Sequence, residues 1–350
     1  MRADMRPDGA VVDRGQYPHA ETPWEQEEWR TGVFDWVRSE LAAHGLYEQG
    51  PREVRLRPWS VLVRLTVATD RSRGGAGSGA RVWFKANPPA SAFEAGLGEA
   101  LARWVPGHVL RPLAVDARRG WSLLPDGGPL FREVLDRGPA DPGAWEEPLR
   151  RYAALQRALT PYAGRIEALG VPVARTADLP EVFDRLLDAN TVLEPGPRRA
   201  LVALRPRLAE WCAELAGAGI ADTLDHADLH ESQLFAPGPD RFTFFDWGDA
   251  AVSHPFCSLL VPARAARERY GPGVLPRLRD AYLEPWTGAG ATAAELRSAV
   301  STAYRLAALG RACSWGRVFP GRAGGGGAGG ANGKADSARW LLQLLAEPAL

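Results

Sequence analysis

The sequence predicts an α+β chain of two lobes, a small N-terminal lobe built on an antiparallel sheet and a larger, mainly helical C-terminal lobe. Three observations carry this prediction. Between residues 52 and 87 apolar and polar residues alternate with period two around short turns. After about residue 140, apolar residues recur at i, i+3 and i+4 through several long segments. The helical part is interrupted once, at 226–250, where HADLHESQLFAPGPDRFTFFDWGDA reads as a loop, a hairpin and a second loop. A chain of 350 residues is long enough to bury a core in each of two lobes.

The elements follow in order. Residues 1 to 22 are polar and rich in Gly, Pro and Asp, and read as poorly ordered. Residues 23 to 45 read as a helix: Pro23 suits a first turn, Trp24, Val33, Trp36 and Val37 share a stripe, and Gly45 suits a C-cap. VRLR and SVLVRLTVA then form two strands around the turn RPWS, and RVWFKAN forms a third after the loop RSRGGAGSG. Helical spacing returns at 91–105, and VLRPLAVD and WSLLPD complete a five-stranded sheet. PDGGP at 125–129 is a natural hinge, which divides the chain into a lobe at 23–125 and a helical lobe at 126–350. In the second lobe, helices are expected over 144–159, 180–190, 197–219, 272–286, 293–318 and 337–347. The glycine run at 321–333 reads as a flexible loop.

Basic and acidic residues balance at 42 each, which points to neither nucleic acid nor a membrane surface as a partner. Three widely spaced cysteines argue against a disulfide framework and fit a reducing cytoplasm. No run approaches the roughly 20 apolar residues of a membrane span, and the N-terminal stretch lacks a signal-peptide core. The expected location is cytoplasmic. Nearly all the basic residues are Arg; only Lys85 and Lys334 are Lys, so a lysine inside the apolar run VWFKAN is unusual for this composition.

The chemistry concentrates at 226–250. Asp228 lies on the loop before the hairpin and Asp246 ends the apolar run FTFF after it. Two acids aimed into one site suit phosphoryl transfer: one receives or orients the hydroxyl proton of the acceptor, and the other holds the Mg²⁺ that neutralises the phosphates. Each residue has a plainer reading beside it. Asp228 can be a turn-forming acid that caps local N–H groups, and Asp246 can simply end a strand. Asp249 can assist the metal or cap the next turn.

His226, Asp228 and Asp246 carry a family resemblance. HADLHESQ followed by FFDWGDA resembles the aminoglycoside phosphotransferase and choline kinase group, which has a protein-kinase-like fold. In that group the catalytic loop reads H-x-D-x-x-x-x-N, and an I-D-W or F-D-W segment carries the metal-binding acid. The resemblance implies that Asp228 is the catalytic base or the carboxylate that orients the acceptor hydroxyl, that His226 braces the loop through the backbone, and that Asp246 binds Mg²⁺. Gln233 stands where the pattern has its metal-binding Asn, with a carbonyl carried on one extra methylene. Lys85 on the third strand matches the phosphate-binding lysine, held by an acid of the following helix; Glu94 fits the family spacing better than Glu99. The turn Arg57-Pro58-Trp59-Ser60 is nearest the nucleotide, with Ser60 a candidate phosphate contact. Leu123, Leu124 and Pro125 are the expected walls for the base. The implied partners are ATP or GTP with Mg²⁺ and a small molecule bearing a hydroxyl group.

Two other readings stay beside this one. Gln233 motivates a catalytically silent nucleotide-binding relative on the same scaffold. His226, Asp228 and His230 form H-x-D-x-H, which on an extended strand turns three ligands to one face and suits a metallohydrolase. GGAGSG at 74–79 resembles a phosphate cradle but opens no helix and lacks a following G-K-[ST], so it reads as a hairpin loop. The thirteen tryptophans can line a pocket for a cation, though such residues more often build core.

Overall fold

The computed structural model describes residues 11–15, 17, 20, 22–69, 79–288, 290–318 and 328–350, and nothing further is said of the rest. The chain divides into two compact units, one reaching to Gly127 and the other beginning at Gly128.

In the first unit, helix α1 (Glu27–Ala43) ends where predicted, with Gly45 at φ +67° turning the chain out of the helix. Strands β1 (Leu46–Arg57), β2 (Ser60–Thr69), β3 (Ala80–Ala86), β4 (Ala114–Asp116) and β5 (Trp121–Pro125) form one sheet in the order β1-β2-β3-β5-β4. All of its pairings are antiparallel. Alternation decides the faces. Val61, Val63, Leu65 and Val67 of β2 are buried with Val82, Phe84 and Ala86 of β3, and Val33, Phe34, Val37 and Leu41 of α1 pack into the same core. Four tryptophans join it. Trp29 and Trp36 each meet Trp121 edge-on or tilted at about 6 Å between ring centres, and Trp24 meets Trp29. These tryptophans are core, as composition suggested.

Lys85 follows Phe84 and therefore projects from the opposite face of β3. Helix α2 (Phe93–Trp104) follows on the connection to β4. The turn between β4 and β5 fixes its start. Gly120 has φ +69°, and a side chain there would lie 2.9 Å from the Cα of Ala92, so only glycine lets the two segments meet.

The N-terminal stretch differs from expectation where it is described. Val12 and Tyr17 are buried, and the Asp13 N–H donates to the Leu56 carbonyl at 3.0 Å. Two apolar anchors suffice to dock a segment whose composition is otherwise that of a loose tail. Residues 1–10 lie outside the described residues, as does 70–78 of the glycine-rich loop.

The second unit carries helices α3 (Phe131–Arg137), α4 (Glu146–Leu159), α5 (Ala163–Ala168), α6 (Leu179–Ala189) and α7 (Pro195–Gly217) before the hairpin. Helices α8 (Leu260–Tyr270), α9 (Leu275–Leu283), α10 (Ala293–Val318) and α11 (Ala328–Gln343) follow it. Helix α11 corrects the expectation of a flexible loop at 321–333: its backbone is already helical at 328, while 321–327 lie outside the described residues. Glycine costs about 1 kcal/mol per helical position relative to Ala, a preference that the continuing helix overrides here.

Two small sheets complete the unit. The hairpin pairs β8 (Leu234–Gly238) with β9 (Arg241–Phe244). Strands β6 (Val173–Ala174), β7 (Thr223–Asp225) and β10 (Ala251–Ser253) form the other, with β10 parallel to β6 and antiparallel to β7. Among the described residues no helix is long and apolar enough to cross a membrane.

Candidate functional site

In the first unit, Lys85 is the centre of interest. Its cross-strand neighbours are Leu62 on β2 and Ser122 on β5. Its Nζ donates to Glu94 Oε1 at 2.6 Å, with side chains only 10% and 12% exposed. Asn87 donates to the other oxygen of the same carboxylate and to the Ser91 carbonyl. Glu99 instead faces Arg103 at 3.9 Å on the exposed side of α2. Lys85 is thus not a solvated strand lysine; a nearly dry carboxylate holds its ammonium in place. Ser60 opens β2 opposite Arg57, two residues before the neighbour of Lys85. Leu124 is half-buried and pairs across the ladder with Trp83, beside the fully buried Leu123.

In the second unit, the loop 226–233 runs from β7 to β8 and is fastened from behind. Asp225, buried on the last residue of β7, accepts from the Ala227 N–H at 2.8 Å, Ser258 Oγ at 2.5 Å and Ser253 Oγ at 3.1 Å. Burial raises the Asp225 carboxyl, and these donors with the Arg311 charge oppose that rise. Tyr152 Oη accepts from the His226 N–H at 2.9 Å and exchanges a hydrogen bond with Ser258. Behind them, the buried Gln156 amide donates to the carbonyls of Leu224 and Pro255. The network holds Ala227 at φ +60°, a left-handed conformation that costs a non-glycine residue about 1–2 kcal/mol. Asp228 is the next residue.

Two hydrogen bonds tie this loop to the far end of the hairpin, both through Phe245. His226 Nε2 donates to the Phe245 carbonyl at 2.8 Å, and the Phe245 N–H donates to the Gln233 carbonyl at 3.1 Å. Asp246 follows at φ +66°, also left-handed, so the chain turns sharply at the acid and enters a short 3₁₀ turn, Trp247–Asp249. Burial pushes the His226 imidazole down to about 4, so it is neutral, with the proton on Nε2. Its Nδ1 is buried with no hydrogen-bond partner.

Asp228 has three-quarters of its side chain buried. Burial raises its carboxyl above the ordinary carboxylate range. The Arg311 guanidinium opposes the rise, Asp249 and Asp246 add to it, and a hydrogen bond from the Gln233 side chain opposes it again. Arg311 Nη1 lies 3.1 Å from Asp228 Oδ1, and His230 Nε2 lies 3.8 Å from Oδ2. Asp249 is also turned to Arg311, at 3.4 Å.

The structure therefore brings His226, Asp228, Gln233 and Asp246 into one constellation, and pairs Lys85 with Glu94 in another. It does not gather the H-x-D-x-H triplet. His226 is fully buried with Nε2 committed to a carbonyl, and among the described residues no three His, Cys, Asp or Glu side chains converge to hold a metal. The loop is not an extended strand: Ala227 at φ +60° breaks the alternation that would turn all three side chains to one face. The groups of the hard-oxygen kind that could hold a Mg²⁺ ion here would be the Asp246 carboxylate and the amide oxygen of Gln233. Sequence reading missed Arg311, Asp225 and Tyr152. The available signal for Arg311 was its place in the small and apolar run LAALGRACS.

No family model and no curated protein matches this sequence. Solved structures match at the level of fold. A choline/ethanolamine kinase family protein from Mesorhizobium loti is 17% identical, with a TM-score of 0.55, over 89% of this chain and 98% of its own. A macrolide 2'-phosphotransferase from Brachybacterium faecium is 18% identical at TM-score 0.53, again over 89% and 98%. A GDP and kanamycin complex of APH(2")-IIia is 12% identical at TM-score 0.53, over 90% and 98%. The chain has the α+β fold shared by these antibiotic phosphotransferases and choline or ethanolamine kinases.

Proposed function

We propose that this protein is a small-molecule kinase that transfers the γ-phosphate of ATP or GTP to a hydroxyl group of a small acceptor. The observation that carries the reading is the double grip on Phe245. It fastens the loop bearing Asp228 to the residue before Asp246, so that two acids 18 positions apart in sequence act as one unit. The kinase fold of the structural neighbours and the GDP bound in one of them support the reading.

The acceptor oxygen attacks the γ-phosphorus as the bond to the β-bridging oxygen breaks, and the nucleoside diphosphate leaves. Asp228 accepts the proton of the attacking hydroxyl and aligns its oxygen. Lys85, held by Glu94, meets the phosphates of the donor, with Ser60 a further phosphate contact and Leu124 a wall for the base. Asp246 and Gln233 would hold Mg²⁺, which when bound neutralises charge on the transferring phosphoryl group. His226 positions the loop through the backbone and touches no substrate. Such an enzyme draws on the nucleotide pool, which agrees with a cytoplasmic site of action.

Calorimetric titration with ATP and GTP analogues, with and without Mg²⁺, tests the reading. Mg²⁺-dependent binding that disappears in Asp246→Ala is expected, together with loss of turnover but retained nucleotide binding in Asp228→Asn. Absence of binding by folded wild-type protein would refute it. The second reading, a silent relative, rests on Gln233 at the metal position. It is favoured if nucleotide binds and no phosphoryl transfer to any hydroxyl acceptor, water included, is detected.

A further inference from the structure

Arg311 is the most unusual charge in the second unit. It lies on α10, 62 residues beyond Asp249 and 83 beyond Asp228, and is only 7% exposed. Burying a guanidinium costs several kcal/mol unless its donors are met. Here Nε is buried with no hydrogen-bond partner, while Nη1 alone faces three oxygens on two separate segments. They are the Ala227 carbonyl at 2.9 Å, Asp228 Oδ1 at 3.1 Å and Asp249 Oδ2 at 3.4 Å. Two of these belong to the loop 226–233, at its left-handed residue and at the acid that follows. The third closes the turn that begins at Asp246. The guanidinium is backed by the Trp340 ring of α11, whose centre lies 5.6 Å from Arg311 Cζ.

We propose that Arg311 is a positioning residue for phosphoryl transfer, a buried cation that fixes the Asp228 carboxylate and locks its loop to the turn carrying Asp246. The proposal rests on the kinase reading above. With Oδ1 held by Arg311, the plane of the carboxylate, and with it the direction of Oδ2, is set by a helix that carries no other part of the reaction. All three contacts run through Nη1, so the grip rests on the buried charge and its reach from α10 rather than on a bidentate fork.

The test uses the full chain and water as acceptor, since hydrolysis of Mg·ATP or Mg·GTP needs the same alignment. Water attacks the γ-phosphorus, orthophosphate and the diphosphate leave, and Asp228 takes the proton. Steady-state kinetics, nucleotide calorimetry and thermal melting are measured for wild type, Arg311→Gln and Arg311→Lys. Arg311→Gln is expected to lower kcat about 100-fold, the scale of a small misplacement of reacting groups, with KM and nucleotide affinity changed less than about threefold. Arg311→Lys, which keeps the charge without the fork, should recover about tenfold of that loss and also guards against a Gln variant that fails to fold. Folded variants that hydrolyse nucleotide as fast as wild type would overturn the proposal and leave the kinase reading intact. Variants that lose kcat and nucleotide affinity together would overturn it in favour of a purely structural role. Wild-type protein that neither binds nor hydrolyses either nucleotide would remove the kinase reading and this proposal with it.

Discussion

Acid should destabilise the second unit in a way that two buried histidines dictate. His226 and His254 are 0% and 1% exposed, and burial pushes their imidazoles down to about 4 and about 3 from 6.5. His254 is the cleaner case, because burial is the only cause of its shift. Its Nδ1 accepts from the Phe256 N–H at 3.2 Å, and its Nε2 is buried with no partner. Each folded-state imidazole stays neutral where the unfolded chain already binds a proton. The unfolded state therefore holds more protons below pH 6.5, and stability present above that value is lost as pH falls toward the folded-state value. Going from pH 7 to pH 5, the linkage amounts to about 2 kcal/mol for each histidine. Carboxyls raised by burial, among them Asp225 and Asp222, act in the opposite direction, so the total slope is a poor measure. A difference isolates the effect. His254→Asn keeps an acceptor for the Phe256 N–H and removes the titration. Urea unfolding followed by tryptophan fluorescence at both pH values should show the gap between variant and wild type shifting by about 2 kcal/mol in favour of the variant at pH 5. A gap independent of pH would refute the claim that His254 is held neutral by burial.

Two further outcomes follow from the site. Lys85→Met removes the ammonium that faces Glu94, while Asn87 still donates to that carboxylate. The protein should stay folded and its Mg·ATP affinity should fall about tenfold or more, the scale of one charge-assisted contact; calorimetry showing unchanged affinity would remove Lys85 from phosphate binding. Gln233→Asn shortens the side chain that hydrogen-bonds Asp228. Loss of a hydrogen bond to a charged group, about 1.5–3 kcal/mol, should cut turnover at least tenfold, measured as phosphate release. A rise in turnover would mean instead that the extra methylene of Gln233 limits the metal site.

Much of the fold is legible in the chain because its signals are local. In β2 burial alternates over Ser60 to Val67, and this period of two persists long enough to name the buried face; β1 alternates only in its second half and β3 carries the continuous apolar run Val82-Trp83-Phe84. Gly45 marks the end of α1, while Pro23 opens a short 3₁₀ turn, Pro23–Glu25, ahead of it. By contrast, β6, β7 and β10 are two or three residues long, too short for any period, and exist because distant segments pair. At the site, the loop and hairpin were readable because turn residues and acids sit within 25 residues. The proximity of Glu94 to Lys85 also follows from spacing along one strand and the helix after it. Arg311 was hidden for two reasons. Its partners lie more than 60 positions away, and in a chain where arginine is the default cation a single arginine carries no information by its type. The scarcity that makes Lys85 conspicuous is the same bias that conceals Arg311.

The clasp on Phe245 has a consequence for how the hairpin can vary. Because the backbone is gripped at its base, the separation of Asp228 from Asp246 does not depend on how far the hairpin extends. Its tip, Pro239 to Arg241, is exposed and carries Asp240 at φ +54°. Residues inserted between Pro239 and Asp240 would lengthen an appendage without moving either acid. The hairpin is thus a place where a tag or a reporter peptide can be grafted, and where chains of this design can differ in length while the chemistry stays in register.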